Sequence, residues 1–501
     1  MGLLSEDDRA RLAPAESSMF AAPVPTRPVS SDEFVPGPQT AKQRELEARI
    51  KRYGAELAAR QGLGRREFLR TAAGFAAAFV AMNETYAPVY AATAAEASTP
   101  ELADERARRF ATQPIIDVHT HFLRDDTRLT GFVRAREAVG KAGWNPDLAG
   151  KPQTLEDLKF ENYFREVFLD SDTKIALISG APSEVPQDWF LTNEMKAEAR
   201  ARINREAGSR RCMTHAIFTP GMPGWLDDVD HAIERLRPDS FKGYTIGDNV
   251  HKDLSRHPWR MDDEKLLYPF YERLEKAGIK NVCVHKGLFP PSVEEKFPHL
   301  LPYCDVRDVG RAAKDWPRLN FVIYHSAYRY GGASRAPDAW AAFERSGRVE
   351  WVNDLAEIPE RYGVDNVYGD LGQIFAQTTM AEPRLCAAML GILVRGLGAD
   401  HVVWGTDAVW TGSPQWQIEA LRRLEIPEDM QRRYGYSPLG TADGPVKSAI
   451  FSGNSMRMYG ITEDDLAALA SDRFAETRAA YEREGGSRSN LAYGYVLRDE
   501  I

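Results

Sequence analysis

The feature that most constrains the fold is an alternation. Eight short runs rich in β-branched and aromatic residues recur between residues 115 and 406, and most are followed by a stretch of helical spacing. The runs are Ile115–His119, Lys174–Ser179, Cys212–Phe218, Ser240–Ile246, Asn281–His285, Asn320–His325, Asn366–Asp370 and His401–Thr406. Helical patterns cover Asn193–Glu206, Trp225–Leu236, Glu264–Ala277, Val306–Asp315, Pro383–Leu397 and Pro414–Leu424. Such alternation builds a parallel sheet, and eight repeats predict an α/β chain folded as a (β/α)8 TIM-type barrel. An open doubly wound sheet is also compatible with the pattern. However, no Gly-x-Gly-x-x-Gly follows the first strand, so the nucleotide-binding form of that sheet lacks support. The connection after the first strand, from Phe122 to Thr173, is a long loop insertion with helical spacing over Leu155–Leu169. Connections of that length in a compact domain tend to cover a site.

The strand ends carry the chemistry. The first run leads into His119-Thr120-His121. Alternate residues of a strand share a face, so the two imidazoles point the same way and make half of a metal site. Taken alone, the motif is equally that of two surface histidines on an edge strand. The fifth, sixth and eighth runs then end in His285, His325 and Asp407. A histidine after an apolar run is commonly a hydrogen-bonded core residue, and an aspartate there commonly caps a helix. Four strand ends carrying such groups at one structural position point instead to a shared site, because barrel enzymes draw catalytic residues from the C-terminal ends of several strands. His215, His231, His251, His257, His299 and His401 fall in strand starts, helices or loops and read as structural or surface residues.

With these residues in hand, residues 113–460 resemble the amidohydrolase superfamily, and within it the amidohydrolase-related group that includes aromatic-acid decarboxylases. The motifs are His119-Thr120-His121, Phe241-Lys242-Gly243, His285, His325, Gly405-Thr406-Asp407 and the stretch from Ile450 to Arg457. The resemblance implies that His119, His121, His285 and Asp407 bind one divalent metal, zinc first. Imidazoles and a carboxylate suit zinc, which lowers the pKa of bound water towards ~7. Asp407 would then serve as general base, and His325 would polarise the substrate or orient the nucleophile. Lys242 leaves two readings open. In binuclear relatives a lysine in this place is carboxylated and bridges two metals, with His325 a ligand of the second; with one metal, Lys242 is a charge near the pocket. Tyr328, Arg329 and Tyr330 follow His325 and precede Gly331-Gly332, where the chain can turn sharply, and Trp410 lies just past Asp407. Arg329 could clamp a carboxylate in two-pronged fashion, which would suit an aromatic or carboxylate-bearing small molecule; plain packing around a solvated arginine explains the same residues. The expected reaction is hydrolysis of an amide, ester or lactone, with non-oxidative decarboxylation as the alternative. A non-catalytic barrel with a binding role would be marked by a missing ligand, and none is missing.

Residues 1–97 read as an address rather than a fold. The stretch 22–38 is proline-rich and predicts disorder, and Ala41–Arg60 predicts a charged helix with little to bury. Gly64-Arg65-Arg66-Glu67-Phe68-Leu69-Arg70, the Ala-rich run from Thr71 to Met82 and the small residues around Ala91–Ser98 resemble a twin-arginine export signal. That resemblance implies the export machinery as a partner, a periplasmic or secreted location and a mature chain beginning near Ala97. Its departure is the long extension before Arg65, and a helix packed on the domain of a cytoplasmic protein is the other reading. At the far end, 461–501 predict a helix over Glu463–Glu484 and a polar Gly-Ser tail, placed on the barrel or on a partner in a homodimer. Composition serves to exclude. A net charge of −9 with no basic stripe outside the first segment gives no footprint for nucleic acid. Cys212, Cys283, Cys304 and Cys386 form no Cys-x-x-Cys pair and read as buried thiols. No apolar run reaches the length of a transmembrane helix.

Overall fold

Eight parallel strands follow one another in chain order: β1 (Ile116–Thr120), β2 (Ile175–Ile178), β3 (Cys212–Ile217), β4 (Ser240–Tyr244), β5 (Asn281–His285), β6 (Asn320–Tyr324), β7 (Val367–Asp370) and β8 (Val402–Val403). They come from a computed structural model that describes residues 22–26, 39–129, 131–142, 150, 152–330 and 336–486. Each strand pairs in parallel with the next. The ends of the sheet then meet. Val118 N donates to Trp404 O at 3.0 Å, Asp407 N to His119 O at 2.8 Å and His121 N to Ala408 O at 2.5 Å. The fold is therefore the TIM-type barrel, and the doubly wound sheet is excluded because β1 and β8 are neighbours.

The two-residue period of the strands sorts the core. Cys283 and Val322 face the barrel interior with Ile116, Val118, Leu177, Met213 and Tyr324. Val282, Val284, Phe321 and Ile323 face outward and join the core under the helices. Met458, Tyr459 and Ile461 pack on the interior cluster from below. The stretch Ile450–Arg457 anchors β8: Asn454 Nδ2 donates to Ala399 O at 2.9 Å and Val402 O at 2.7 Å, and Trp404 N donates to Ile450 O at 3.1 Å. All four cysteines are buried, as expected.

Three expectations are corrected. The helix expected over Glu264–Ala277 begins at Tyr268, because Pro269 suits a first turn but not a helix interior. The C-terminal helix is two, Glu463–Leu469 and Arg473–Arg483, because the Asp472 carboxylate caps the second on Ala475 N. The largest correction concerns the N-terminal segment. Helices Ala41–Gln61, Arg65–Leu69, Ala72–Thr85, Ala94–Ser98 and Pro100–Phe110 pack into the same apolar core as the outer barrel helices. Leu46, Ile50 and Ala58 are buried, so the charged helix does have a face to bury. Ala72–Thr85 is apolar nearly all round, and a helix of that kind is a buried one. Tyr86 Oη donates to Met380 O at 3.0 Å, Ala91 N to Arg423 O at 2.7 Å and Glu425 N to Val89 O at 2.8 Å. The folded unit thus begins by residue 40 rather than near Ala97. Of the stretch expected to be disordered, Ala22, Val24 and Thr26 are buried, whereas 27–38 lie outside the described residues. The Gly331-Gly332 turn and the tail beyond Gly486 also lie outside them. No helix among the described residues is long and apolar enough to cross a membrane.

The insertion after β1 sits over the C-terminal end of the barrel. Its helix Phe160–Phe164 runs into a wider π turn, Arg165–Leu169. Ser413 Oγ donates to Glu166 O at 3.1 Å, which fastens this turn to the loop that follows Asp407.

Candidate metal centre

The expected strand-end residues converge. His119 Nε2 lies 3.2 Å and His121 Nε2 3.3 Å from the same oxygen, Asp407 Oδ1. The His325 ring is centred 5.0 Å from that of His119, and its Nε2 lies 3.1 Å from His285 Nδ1. Side chains from β1 and from the ends of β5, β6 and β8 therefore form one buried cluster. Its innermost group is His119, His325 and Asp407, whose ligand atoms lie within 4.8 Å of one another. His285, expected as a ligand, stands next to this trio: its ring stacks on Tyr244, with centroids 4.8 Å apart, and its Nδ1 faces His325 Nε2.

Backbone strain helps to aim these groups. His325 and Asp407 have φ of 59° and 61°, in the left-handed region. That conformation costs L residues of order 1–3 kcal/mol and survives where surrounding contacts fix it. Here Ser326 Oγ donates to Asp370 O at 2.8 Å, and the backbone N of Asp407 is held by His119 O.

The electrostatics favour neutral imidazoles. Burial, and then the nearby Lys242 charge, hold His119 and His121 well below the usual histidine range. Asp370, at the end of β7, fixes one of them: its Oδ2 lies 3.0 Å from His119 Nδ1. Burial raises the Asp370 pKa to about 7, but this Oδ2 also accepts from His325 N and Gly372 N and so accepts here too: Nδ1 carries the proton, and Nε2 presents a lone pair to the Lys242 amine. His325 is set the same way, with Nδ1 donating to Gly372 O at 3.0 Å. A side chain at Gly405 would place its Cβ 2.1 Å from Asp370 Oδ1 and 2.7 Å from the His119 Cβ. The glycine of the Gly405-Thr406-Asp407 motif is thus the space in which the Asp370–His119 pair sits. Asp370 escaped the sequence reading, although it ends a strand as His285 does. Asp117 clips β8 to β1, accepting from His119 N and Thr406 N, each at 3.1 Å, and burial raises its pKa to about 7.

The residues proposed around the substrate fare differently. Lys242 is fully buried, with Nζ 3.1 Å from His119 Nε2 and 4.4 Å from the Tyr324 ring centre. It belongs to the cluster. Trp410 packs on His121, 5.7 Å between ring centres, and on Phe190 at 5.3 Å. Arg329 is the correction. Its guanidinium is held between Glu294 and Glu350 and lies over Trp351, so its charge is already answered. Tyr328 is buried in the outer core, and its backbone O accepts from Leu288 N at 2.7 Å. Among the remaining histidines, His215 is a structural group inside the barrel, bridging Ser240 Oγ at 2.7 Å and Tyr324 Oη at 2.6 Å.

Comparison with known proteins gives the following. No curated protein sequence matches the chain. Among solved structures, an uncharacterized TIM-barrel protein from Bordetella bronchiseptica is 15% identical, covering 71% of this chain and 99% of its own, with a TM-score of 0.42. The 2,6-dihydroxybenzoate decarboxylase from Rhizobium is 13% identical, covering 70% and 99%, with a TM-score of 0.40. A 5-carboxyvanillate decarboxylase from Novosphingobium aromaticivorans, solved with bound manganese, is 12% identical, covering 70% and 98%, with a TM-score of 0.40. Likenesses this distant carry no chemistry over. A family model described as amidohydrolase, by contrast, matches residues 116–461, the whole run from β1 through the strand-end cluster to the floor of the barrel. The chain belongs to that amidohydrolase family.

Proposed function

We propose that the chain is a metal-dependent hydrolase that adds water across an amide, ester or lactone bond of a small molecule. The observation that carries the reading is the convergence of His119 Nε2 and His121 Nε2 on Asp407 Oδ1, at 3.2 and 3.3 Å. The donor set fits a divalent cation, zinc first: the imidazoles are held neutral, and two ring nitrogens face one carboxylate oxygen. His119, His121, His285 and Asp407 would hold one ion; a second, with Lys242 carboxylated and His325 as a ligand, is the other stoichiometry. A divalent ion at such a site supplies Lewis acidity, polarising a carbonyl and acidifying water.

The chain's own groups do the rest. Asp407 accepts the proton of the attacking water on its carboxylate. His325, with Nδ1 committed to Gly372 O, turns Nε2 towards the cluster and orients the reacting group. Phe190 and Trp410 keep bulk water from His121. Non-oxidative decarboxylation is the second reading, favoured by the buried Lys242 amine beside the cluster, which suits a carboxylate-bearing substrate. Product analysis on a panel of lactones, amides and aromatic acids separates the two. Hydrolysis yields an acid and no CO2; stoichiometric CO2 release would replace it with decarboxylation.

The Arg65-Arg66-Glu67-Phe68-Leu69 motif supports export by the twin-arginine route as the location of the protein. Changing Arg65 and Arg66 to Lys should hold the precursor in the cytoplasm, and unchanged export would remove the assignment.

A further inference from the structure

A second buried amine reaches the same end of the barrel. Lys196 lies in the first turn of the helix Asn193–Ala207. Asn193 fastens that turn to the end of β3, donating from Nδ2 to Ile217 O at 3.0 Å and accepting from Ile217 N at 2.7 Å. The Lys196 side chain then runs past Gly180, beyond β2, where a Cβ on Gly180 would sit 3.5 Å from Nζ. Lys196 is 0% exposed, and its Nζ has no hydrogen-bond partner among the described residues. The neighbouring Ser179 also has a buried Oγ without a partner.

This corner adjoins the cluster on two sides. Ser179 N donates to Thr120 O at 2.8 Å, between the two histidines of β1. Tyr244 Oη donates to Gly180 O at 3.2 Å, and the ring of Tyr244 stacks on His285. Burial, and after it the Lys242 charge, hold the Lys196 amine well below the usual lysine range, and the acid that offsets this is Glu194, exposed on the same helix. Lysine is almost never fully buried unless paired, and an unanswered buried ammonium is destabilising. Two amines held out of water at the mouth of a barrel, with an idle hydroxyl on the residue before the glycine that one of them passes, match an anion that brings its own acceptors.

We propose that Lys196 and Ser179 form an oxyanion-binding corner that takes a carboxylate of the substrate beside the histidine–aspartate cluster. One carboxylate oxygen would accept from the ammonium and the other from the hydroxyl. This deepens the hydrolase reading by naming the substrate class, and rests on it for the site being the one where substrate sits.

The test is calorimetric titration of chelator-treated full-length protein with benzoate, and with benzamide as the uncharged counterpart. Benzoate should bind more tightly than benzamide. Lys196→Met should weaken benzoate about tenfold or more while leaving benzamide unchanged, because a charge-assisted hydrogen bond is lost. The melting temperature of Lys196→Met should stay level or rise, which a merely structural lysine would not allow. Lys196→Arg should retain benzoate binding. Ser179→Ala, which removes one hydroxyl, should weaken benzoate severalfold and guards against misfolding of the lysine variant. Equal benzoate binding by wild type and Lys196→Met, or none by wild type, would overturn the corner. Protein that takes up no metal but binds benzoate through Lys196 would remove the metal-dependent reading and leave the corner standing.

Discussion

Asp370 is not itself an expected ligand, yet it decides the tautomer of His119. Its Oδ2 accepts from His119 Nδ1, from His325 N at 3.3 Å and from Gly372 N at 3.0 Å, so one carboxylate ties β7 to β1 and β6. Asp370→Asn keeps the volume and removes the charge. We expect metal affinity to fall about 10–100-fold, read by competition with a chromophoric chelator, as for other partners of metal-binding histidines. Unchanged affinity would make Asp370 a packing residue. His119, His121, His285, His325 and Asp407 were legible because each ends an apolar run or directly follows one. Asp370 gave the same signal, but its meaning lies in a partner 251 positions away. Arg329 failed for the same kind of reason. Glu294 and Glu350, which neutralise it, stand 35 and 21 positions away, where no local pattern shows them.

At the scale of elements, the N-terminal helices carry two messages in one sequence. A weakly apolar, small-residue run after paired arginines is what an export signal needs, and it is also what a helix buried on every side needs. In the fold, Arg65 and Arg66 are exposed while Phe68 and Leu69 are buried, and Phe79 packs 4.9 Å from the Tyr90 ring with the Arg423 guanidinium over it at 5.4 Å. Phe79→Ala should therefore destabilise the full-length chain by about 3–5 kcal/mol in urea unfolding, the cost of a large-to-small change in a core. A change below about 0.5 kcal/mol, the usual range for surface positions, would mean that the segment is not part of the folded unit. The wrong inference from sequence came from composition: an Ala-rich helix without an amphipathic stripe gives no sign of which surface covers it. Removal of residues up to Ala97 would uncover the surfaces that Tyr86 and Tyr90 meet on Ile374–Ala381 and that Phe79 meets at Arg423.

For the whole molecule, the barrel was legible because its periods are strong. β5 begins and ends where the apolar run does, and the other strands differ mainly at their ends. β8 shrinks most, to Val402–Val403, because the chain turns at once into the Gly405-Thr406-Asp407 loop that closes on β1. What alternation could not convey is the order within the site. That order depends on which ring stacks on Tyr244 and on which strand end takes a left-handed φ.

The central claim is that the strand ends of this barrel make one metal site. Elemental analysis of protein purified without added metal or chelator tests it most directly. The account predicts about one zinc per chain, lost when His119 and His121 are both changed to Ala, with two per chain moving Lys242 and His325 into a bridged pair. A double variant that still holds stoichiometric zinc, or a wild-type chain that takes up no divalent metal, would contradict it.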